Sequence, residues 1–383
     1  MSTETDEYPP ANLYERLAVT LAQHSISHET AKLLSLQLAN GISRQQETGA
    51  DIRGQIHLGI LFDAETDTAS LLTQLNDIDP DSTYVNGTGS STSGLIADAR
   101  NGTLDTGVVL CGDYEAVLID NAASLDERTM DSLDQILSSG SYTVSKSGIH
   151  ETRHTDSSIL LVDTLQYGSR DEIMSVDEEL DHLLPPSTKN RLDVASIDSG
   201  QSNDSDKIPL GREKIQSGLE RAREIEPELK PGTADYLETK VDERLDFEQA
   251  TISIETVRRL AEACARLDYN ETVTSHHVNL VVQLLYDVFD EMYGESEEAE
   301  TGRFDAEVIE TGSSKTQRDR IKSIEDLIIK VEREHEGGAP IEEVLDRAEE
   351  LGMSAAKAEK EIENLRRKGE AYEPSQGYVS ADW

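Results

Sequence analysis

Three short apolar runs constrain this chain more than anything else in it: IHLGILF at 56–62, EAVLID at 115–120 and SILLVDT at 158–164. Each has the length of a strand rather than a helix. Each is apolar on both faces of the strand it would form, so it needs cover from two sides. Polar or helical sequence follows every one of them, and buried strands alternating with helices predict a parallel sheet in an α/β domain. Upstream, Leu13, Leu17 and Leu21, then Ala31, Leu34 and Leu38, recur at helical spacing between Ala11 and Asn40. The opening MSTETDEYPP, residues 1–10, is polar with paired prolines and is expected to be a disordered lead.

The character changes after Asp193. Residues 194–207 (VASIDSGQSNDSDK) are rich in Ser and Asp and read as a loop that closes a core over 11–207. Residues 208–297 carry an all-helical pattern, clearest in the amphipathic SIETVRRLAEACARLD. An acidic stretch without apolar period reads as a linker over 298–316. The last segment has three helical stretches, IKSIEDLIIKVEREHE, APIEEVLDRAEEL and SAAKAEKEIENLRRKG, with Ser354 as N-cap of the third. The extended EAYEPSQGYVS follows as a two-strand wing, so residues 317–383 are expected to form a winged-helix domain.

Charge decides which partners are allowed. Against 35 Lys+Arg stand 77 Asp+Glu, a formal net charge of -42. In dilute salt such a surface repels polyanions at range. The acid, however, is spread through every segment rather than gathered in one tail, and only 13 of the cations are Lys. That distribution resembles halophilic cytoplasmic proteins, and at molar salt the Debye length falls to about 3 Å. The charge therefore does not exclude DNA. No apolar run approaches the roughly 18 residues of a membrane helix, and no signal peptide opens the chain, so a cytoplasmic location is expected. Cys111 and Cys264 cannot build a disulfide framework or a four-cysteine zinc site and are expected to be small buried hydrophobes. His276 and His277 would point about 100° apart on a helix, which suits one metal poorly. Both are expected at the surface, and no metal site is expected.

A strand ending at Phe62, then a loop, then a helix near Ala69 is where nucleotide-binding α/β domains place their phosphate loop. That chemistry needs glycines for close backbone approach, a Lys for the β/γ charge and a Ser or Thr for magnesium. Residues 62–70, FDAETDTAS, contain neither glycine nor lysine, and Glu65 and Asp67 add negative charge where a triphosphate would sit. On physical grounds this loop should repel ATP.

The residues around that loop nonetheless resemble the minichromosome maintenance (MCM) replicative helicases, of a haloarchaeal type. DIRGQIHLGILFDAETDTASLL is similar to their strand and Walker A loop, and YVNGTGSSTSGLIADAR to the segment that follows. EAVLIDNAASLDERTMDSLDQIL lies where the Walker B strand and its helix belong, and SYTVSKSGI resembles the pre-sensor hairpin. LLPPSTKNRLD is similar to the arginine-finger segment, RRLAEACAR to the helical lid, and NLYERLAVTLAQHSISHETAKLLSLQLANG to the helices leading into the core. The resemblance implies an AAA+-type α/β core over 11–207, a helical lid over 208–297 and a C-terminal winged helix. It also implies that the family's large N-terminal region, an oligonucleotide-binding fold with a zinc site, is not among these residues.

Carried over position by position, the resemblance puts the Walker A lysine on Thr68 and the magnesium-binding Ser on Ala69. The loop glycines fall on Phe62, Glu65 and Asp67, which leaves Asp63, Thr66 and Thr68 as the remnant of the loop. The Walker B Asp is retained as Asp120, but the adjacent Glu is Asn121, and an amide cannot act as a general base. Sensor 1 falls on Thr164 and sensor 2 on Ile252, while Arg191 keeps the arginine-finger position, which acts on a neighbouring subunit's nucleotide. Lys146 takes the place of the hairpin lysine that touches DNA. Lys357, Lys360, Arg366, Arg367 and Lys368 on the third tail helix are candidate phosphate contacts.

The expectation is an ATPase-inactive MCM paralogue that needs no ATP or magnesium of its own and binds DNA, a functional MCM subunit, or both. One alternative is an active ATP-dependent helicase with atypical motifs. The other is a winged-helix DNA-binding regulator that uses the core as a scaffold.

Overall fold

A computed structural model describes residues 12–45, 51–100, 103–146, 148–165, 175–198, 200, 209–247, 250–293, 328, 330–332, 335, 339–350, 362 and 378–380. Residues 1–295 form one compact unit and 296–383 another. The expected lead at 1–10 and linker at 298–316 lie outside the described residues.

The three apolar runs become strands with sheet neighbours on both sides, and all but Asp163 and Thr164 of their residues are buried. They are β1 (Leu58–Phe62), β3 (Ala116–Asp120) and β4 (Ser158–Thr164). Two more strands, β2 (Ser82–Asn86) and β5 (Val194–Ile197), complete a five-stranded sheet of order β5-β1-β4-β3-β2. Every pairing is parallel, with Val162 beside Ile60 and Leu160 beside Leu118. This mixed α/β architecture agrees with the AAA+-like core that the sequence predicts.

The expected loop over 194–207 is therefore wrong at its start. Val194–Ile197 is a strand that, among the described residues, pairs only with β1, and its apolar character is diluted by Ser196. At the other edge β2 is half-buried and polar, so it carries no apolar run.

Helices cover the sheet, and several begin where a side chain caps them. Ser27 accepts from the Thr30 N–H ahead of α2 (His28–Ala39), which follows α1 (Leu13–Leu21). Asp67 caps α3 (Thr68–Ile78), and Asp126 caps α4 (Glu127–Ser139), which stops at Gly140 in the left-handed region. A shorter helix, α5 (Val176–Leu183), follows β4. Beyond β5 come α6 (Arg212–Arg223), α7 (Pro231–Arg244), α8 (Ile254–Leu267) and α9 (Ser275–Tyr293).

This region is not wholly helical as expected. Glu228–Leu229 pairs with Thr272–Val273, and Asp246–Phe247 with Ala250–Thr251. His277 also departs from expectation, because it is buried and its Nδ1 accepts from the Thr274 N–H at 3.1 Å at the start of α9. Cys264 is buried, whereas Cys111 is only half-buried.

In the second unit, α10 (Ile341–Glu350) begins after Ala339–Pro340, which the sequence assigns to the helix but which pairs antiparallel with Tyr378–Val379. Ile328, Val331, Val344 and Ile362 are buried.

Arginines fasten the late helices to the sheet domain. Arg266 on α8 donates to the carbonyls of Ala39, Asn40 and Gly41 at 2.8, 3.1 and 3.0 Å. Arg223 on α6 donates to Leu38 O and to Asp79. The deepest fastening is Asp193, just ahead of β5. It accepts from Arg53 Nη1 and the His57 N–H on Oδ2, at 2.7 and 2.8 Å. Its Oδ1 accepts from Thr256 Oγ1 and Arg259 Nε on α8, each at 3.0 Å. Burial alone would raise this carboxyl, but the charges of Arg53 and Arg259 outweigh it and lower its pKa to about 2.

Asp193→Ala would leave two guanidinium groups in the interior without their anion, so a loss of about 3–5 kcal/mol is expected in denaturant unfolding. Because the folded-state pKa lies below the ordinary 3.8, the stability from this group is complete above that value and is lost as pH falls through about 2. An acid titration of the unfolding midpoint checks the sign, and the variant should show a shallower acid limb than the parent.

Candidate nucleotide site

The loop at 63–67 leaves the carboxyl end of β1, where ligands bind in open α/β sheets. What the structure places there is a helix start already supplied with acceptors. The Thr68 N–H donates to Thr66 O at 3.0 Å, and the Leu71 N–H to Asp67 O at 3.1 Å. The Ser70 N–H donates to the Asp67 carboxylate at 3.0 Å. A helix N-terminus attracts anions because its first N–H groups lack partners and its dipole is positive there. At α3 the side chain of Asp67 is that anion. Glu65 is exposed on the same loop.

Asp120, buried at the end of β3, is equally well supplied. Its Oδ1 accepts from Thr68 Oγ1 at 2.9 Å and from the Asn121 N–H at 3.0 Å. Its Oδ2 accepts from Tyr84 Oη on β2 at 3.1 Å. Burial raises the Tyr84 pKa, and Asp120 adds to the rise while Asn86 opposes it, so the phenol remains a donor at neutral pH. Three parts of the fold thus meet on one carboxylate: β3 supplies it, β2 supplies Tyr84, and the start of α3, the helix after β1, supplies Thr68. Gly87, just past β2, permits this convergence, since a Cβ there would lie 2.4 Å from Asn121 O.

The remaining expected positions are also placed. Asn121 is half-buried with φ of 51°, and the carboxylate of Asp163 beside it accepts from the N–H groups of Ala123 and Thr164. Thr164, the sensor 1 position, ends β4 in register with Phe62. Ile252, the sensor 2 position, is buried ahead of α8 and offers no polar group. Arg191 lies well away in sequence, after the one-turn helix Pro186–Lys189, with its side chain exposed.

Lys146 is exposed near the tip of a hairpin in which Ser141–Lys146 pairs with Ile149–His154. Gly148, with φ of 80°, makes the turn. Lys357, Lys360, Arg366, Arg367 and Lys368 lie outside the described residues. No group of His, Cys, Asp and Glu among the described residues is arranged to hold a metal ion. Sequence reasoning brings Asp120 and Thr68 to the same site but misses Tyr84, whose only signal is its place in the weakly alternating STYVN.

The family described as the MCM P-loop domain matches residues 6–207. The chain is 25% identical to the DNA replication licensing factor MCM4 of Arabidopsis thaliana, across 97% of this chain and 48% of that protein. It is 24% identical to mcm7-A of Xenopus laevis, across 78% of this chain and 46% of the relative. It is 22% identical to the minichromosome maintenance protein of Saccharolobus solfataricus, across 94% and 56%. The chain therefore spans about half the length of the curated relatives it matches.

If Asp120 is a hydrogen-bond hub rather than a metal ligand, Thr68→Val should destabilise the chain by about 1 kcal/mol, equally with and without magnesium. Asp67→Ala should cost a similar amount, about 1 kcal/mol, through loss of the helix cap. Denaturant unfolding of both variants in each buffer makes the comparison.

Proposed function

The chain belongs to the MCM P-loop domain family, and from that premise we propose that it is a DNA replication subunit that does not hydrolyse ATP itself. It acts by binding DNA and a functional MCM subunit. The observation that carries this reading is the occupancy of Asp120. Both of its oxygens already accept from Thr68, Tyr84 and a backbone N–H, so a magnesium ion would have to displace protein donors to reach it. The α3 terminus, which would have to receive the phosphates, is held by Asp67, and no lysine stands at 68 to counter their charge. The residues present do not fit ATP·Mg.

The exposed side chains support the partner reading. Arg191 stands out from the core at the position where the family directs an arginine to its neighbour's nucleotide, so this subunit completes a site it does not itself possess. Lys146 supplies a phosphate contact at the hairpin tip. A winged helix over 317–383, with Lys357, Lys360, Arg366 and Arg367 on its third helix, supplies the others. A cytoplasm of molar salt is the proposed setting. There the charge of -42 is screened beyond about 3 Å, which removes its long-range repulsion of DNA.

Titration calorimetry with ATP and magnesium in molar KCl should give no saturable heat, and steady phosphate release by the purified chain would sink the proposal. Adding a full-length MCM subunit should produce a complex. Arg191→Ala should abolish any stimulation of the partner's hydrolysis without dissociating that complex. Lys146→Ala should weaken DNA binding and reduce the slope of log K against log salt by about 1. An unchanged slope would remove Lys146 from the interface.

A further inference from the structure

Arg191 is exposed, and in a chain with 77 Asp+Glu its guanidinium has no carboxylate partner among the described residues. Its backbone, by contrast, is held at both polar groups. The Arg191 N–H donates to Thr188 O at 2.9 Å, and the Arg191 carbonyl accepts from Arg53 Nη2 at 3.3 Å. The flanking residues are anchored as well. Lys189 donates to Asp181 on α5 at 2.7 Å. Leu192 lies so close over β1 that a Cβ on Gly59 would stand 2.6 Å from its Cδ1. Asp193 is the buried acceptor that joins α8 to the sheet.

The Arg53 side chain spans two of these residues. Its Nη1 donates to the Asp193 carboxylate at 2.7 Å and its Nη2 to the Arg191 carbonyl. The first bond has a structural use, because it neutralises a buried anion. The second has much less of one. It lies on the exposed side, where water serves a carbonyl equally well, so it adds little to stability. What it fixes is direction. A guanidinium is planar and sets the angle between its two bonds. The peptide of Arg191 is thereby oriented against Asp193, and through Asp193 against Thr256 and Arg259 on α8.

We propose that Arg53 is a positioning residue for Arg191, holding the peptide from which that side chain reaches a neighbouring subunit's nucleotide. The inference rests on the proposed role of Arg191 and deepens it. Misplacing a reacting group by about 1 Å can cost about a hundredfold in rate, so an exposed arginine that acts across an interface needs a fixed base. Lysine at 53 would supply one charge for Asp193 but no planar fork to reach both acceptors. Arg53→Lys therefore separates the pairing of Asp193 from the hold on Arg191.

The test begins with the parent chain. Its Arg191 and Leu192 amides should exchange with deuterium at least tenfold more slowly than those of an unstructured chain, and exchange at the unstructured rate overturns the proposal. In Arg53→Lys both amides should exchange at least tenfold faster than in the parent, while the amides of β1 and β4 keep their rates. Arg266→Lys, which loosens a different fastening of α8, controls for lost stability and should leave exchange at Arg191 unchanged.

Both variants are then mixed with a full-length, ATP-hydrolysing MCM subunit. Arg53→Lys should lower the kcat of the stimulated hydrolysis at least tenfold, with the KM for ATP and the affinity of the complex within twofold of the parent. Arg266→Lys should keep the parent kcat. A purely structural role for Arg53 would instead lower the melting temperature, speed exchange across the whole sheet and weaken the complex. That result, or an unchanged kcat in Arg53→Lys, overturns the proposal. If the parent forms no complex, the subunit reading fails by itself, and exchange alone decides whether Arg53 holds Arg191.

Discussion

Asp193 takes hydrogen bonds from Arg53 and His57 ahead of β1 and from Thr256 and Arg259 on α8, with its own side chain fully buried. Three parts of the chain far apart in sequence meet on one charge. The arrangement is tolerable because the carboxylate is paired twice and its lone pairs are used. A buried anion with less company would destabilise the fold more than its contacts stabilise it. Burial pulls the Arg53 guanidinium below its usual value with Asp193 opposing, yet an arginine stays charged at neutral pH. The contact joins the start of β5 to the segment ahead of β1 and to α8, since Asp193 immediately precedes β5.

The placement of cations extends the same logic. In a chain with so few Lys and Arg, Arg44, Arg53, Arg223, Arg259 and Arg266 all fasten segments together. Arg44 donates to both Glu262 and Glu255 on α8, and Arg258 donates to Glu262 as well. Several arginines therefore work inside contacts, whereas Lys146 and Arg191 are exposed. At the end of the sheet the pattern is reversed. Asp67 and Asp120 both accept from N–H and O–H donors of the chain itself.

Much of this architecture is legible in the residues alone. The three apolar runs become β1, β3 and β4 because a strand covered on both faces cannot hide its composition. The helices capped by Ser27, Asp67 and Asp126 announce themselves by apolar spacing. The edge strands do not. Among the described residues Val194–Ile197 has a sheet neighbour on one side only, and it includes a serine, while Ser82–Asn86 is half-exposed, so neither needs an apolar run. His277 escapes as well, because whether a helical histidine faces solvent or its own helix start depends on what packs against it.

At the candidate site the division is sharper. Sequence by itself determined the α/β class, the position of the loop after β1, and the chemistry it lacks, since glycine and lysine are either present or absent in a string of residues. Through the resemblance of the surrounding motifs it also assigned Asp120 and Thr68 to positions of one site. Only the tertiary structure decided that Thr68, Tyr84 and the Asn121 N–H all turn onto that carboxylate, and that Asp67 closes the terminus of α3. The reason is physical. A hydrogen bond between strand ends depends on strand order and register, which arise from packing across the whole sheet and leave no mark at any single position.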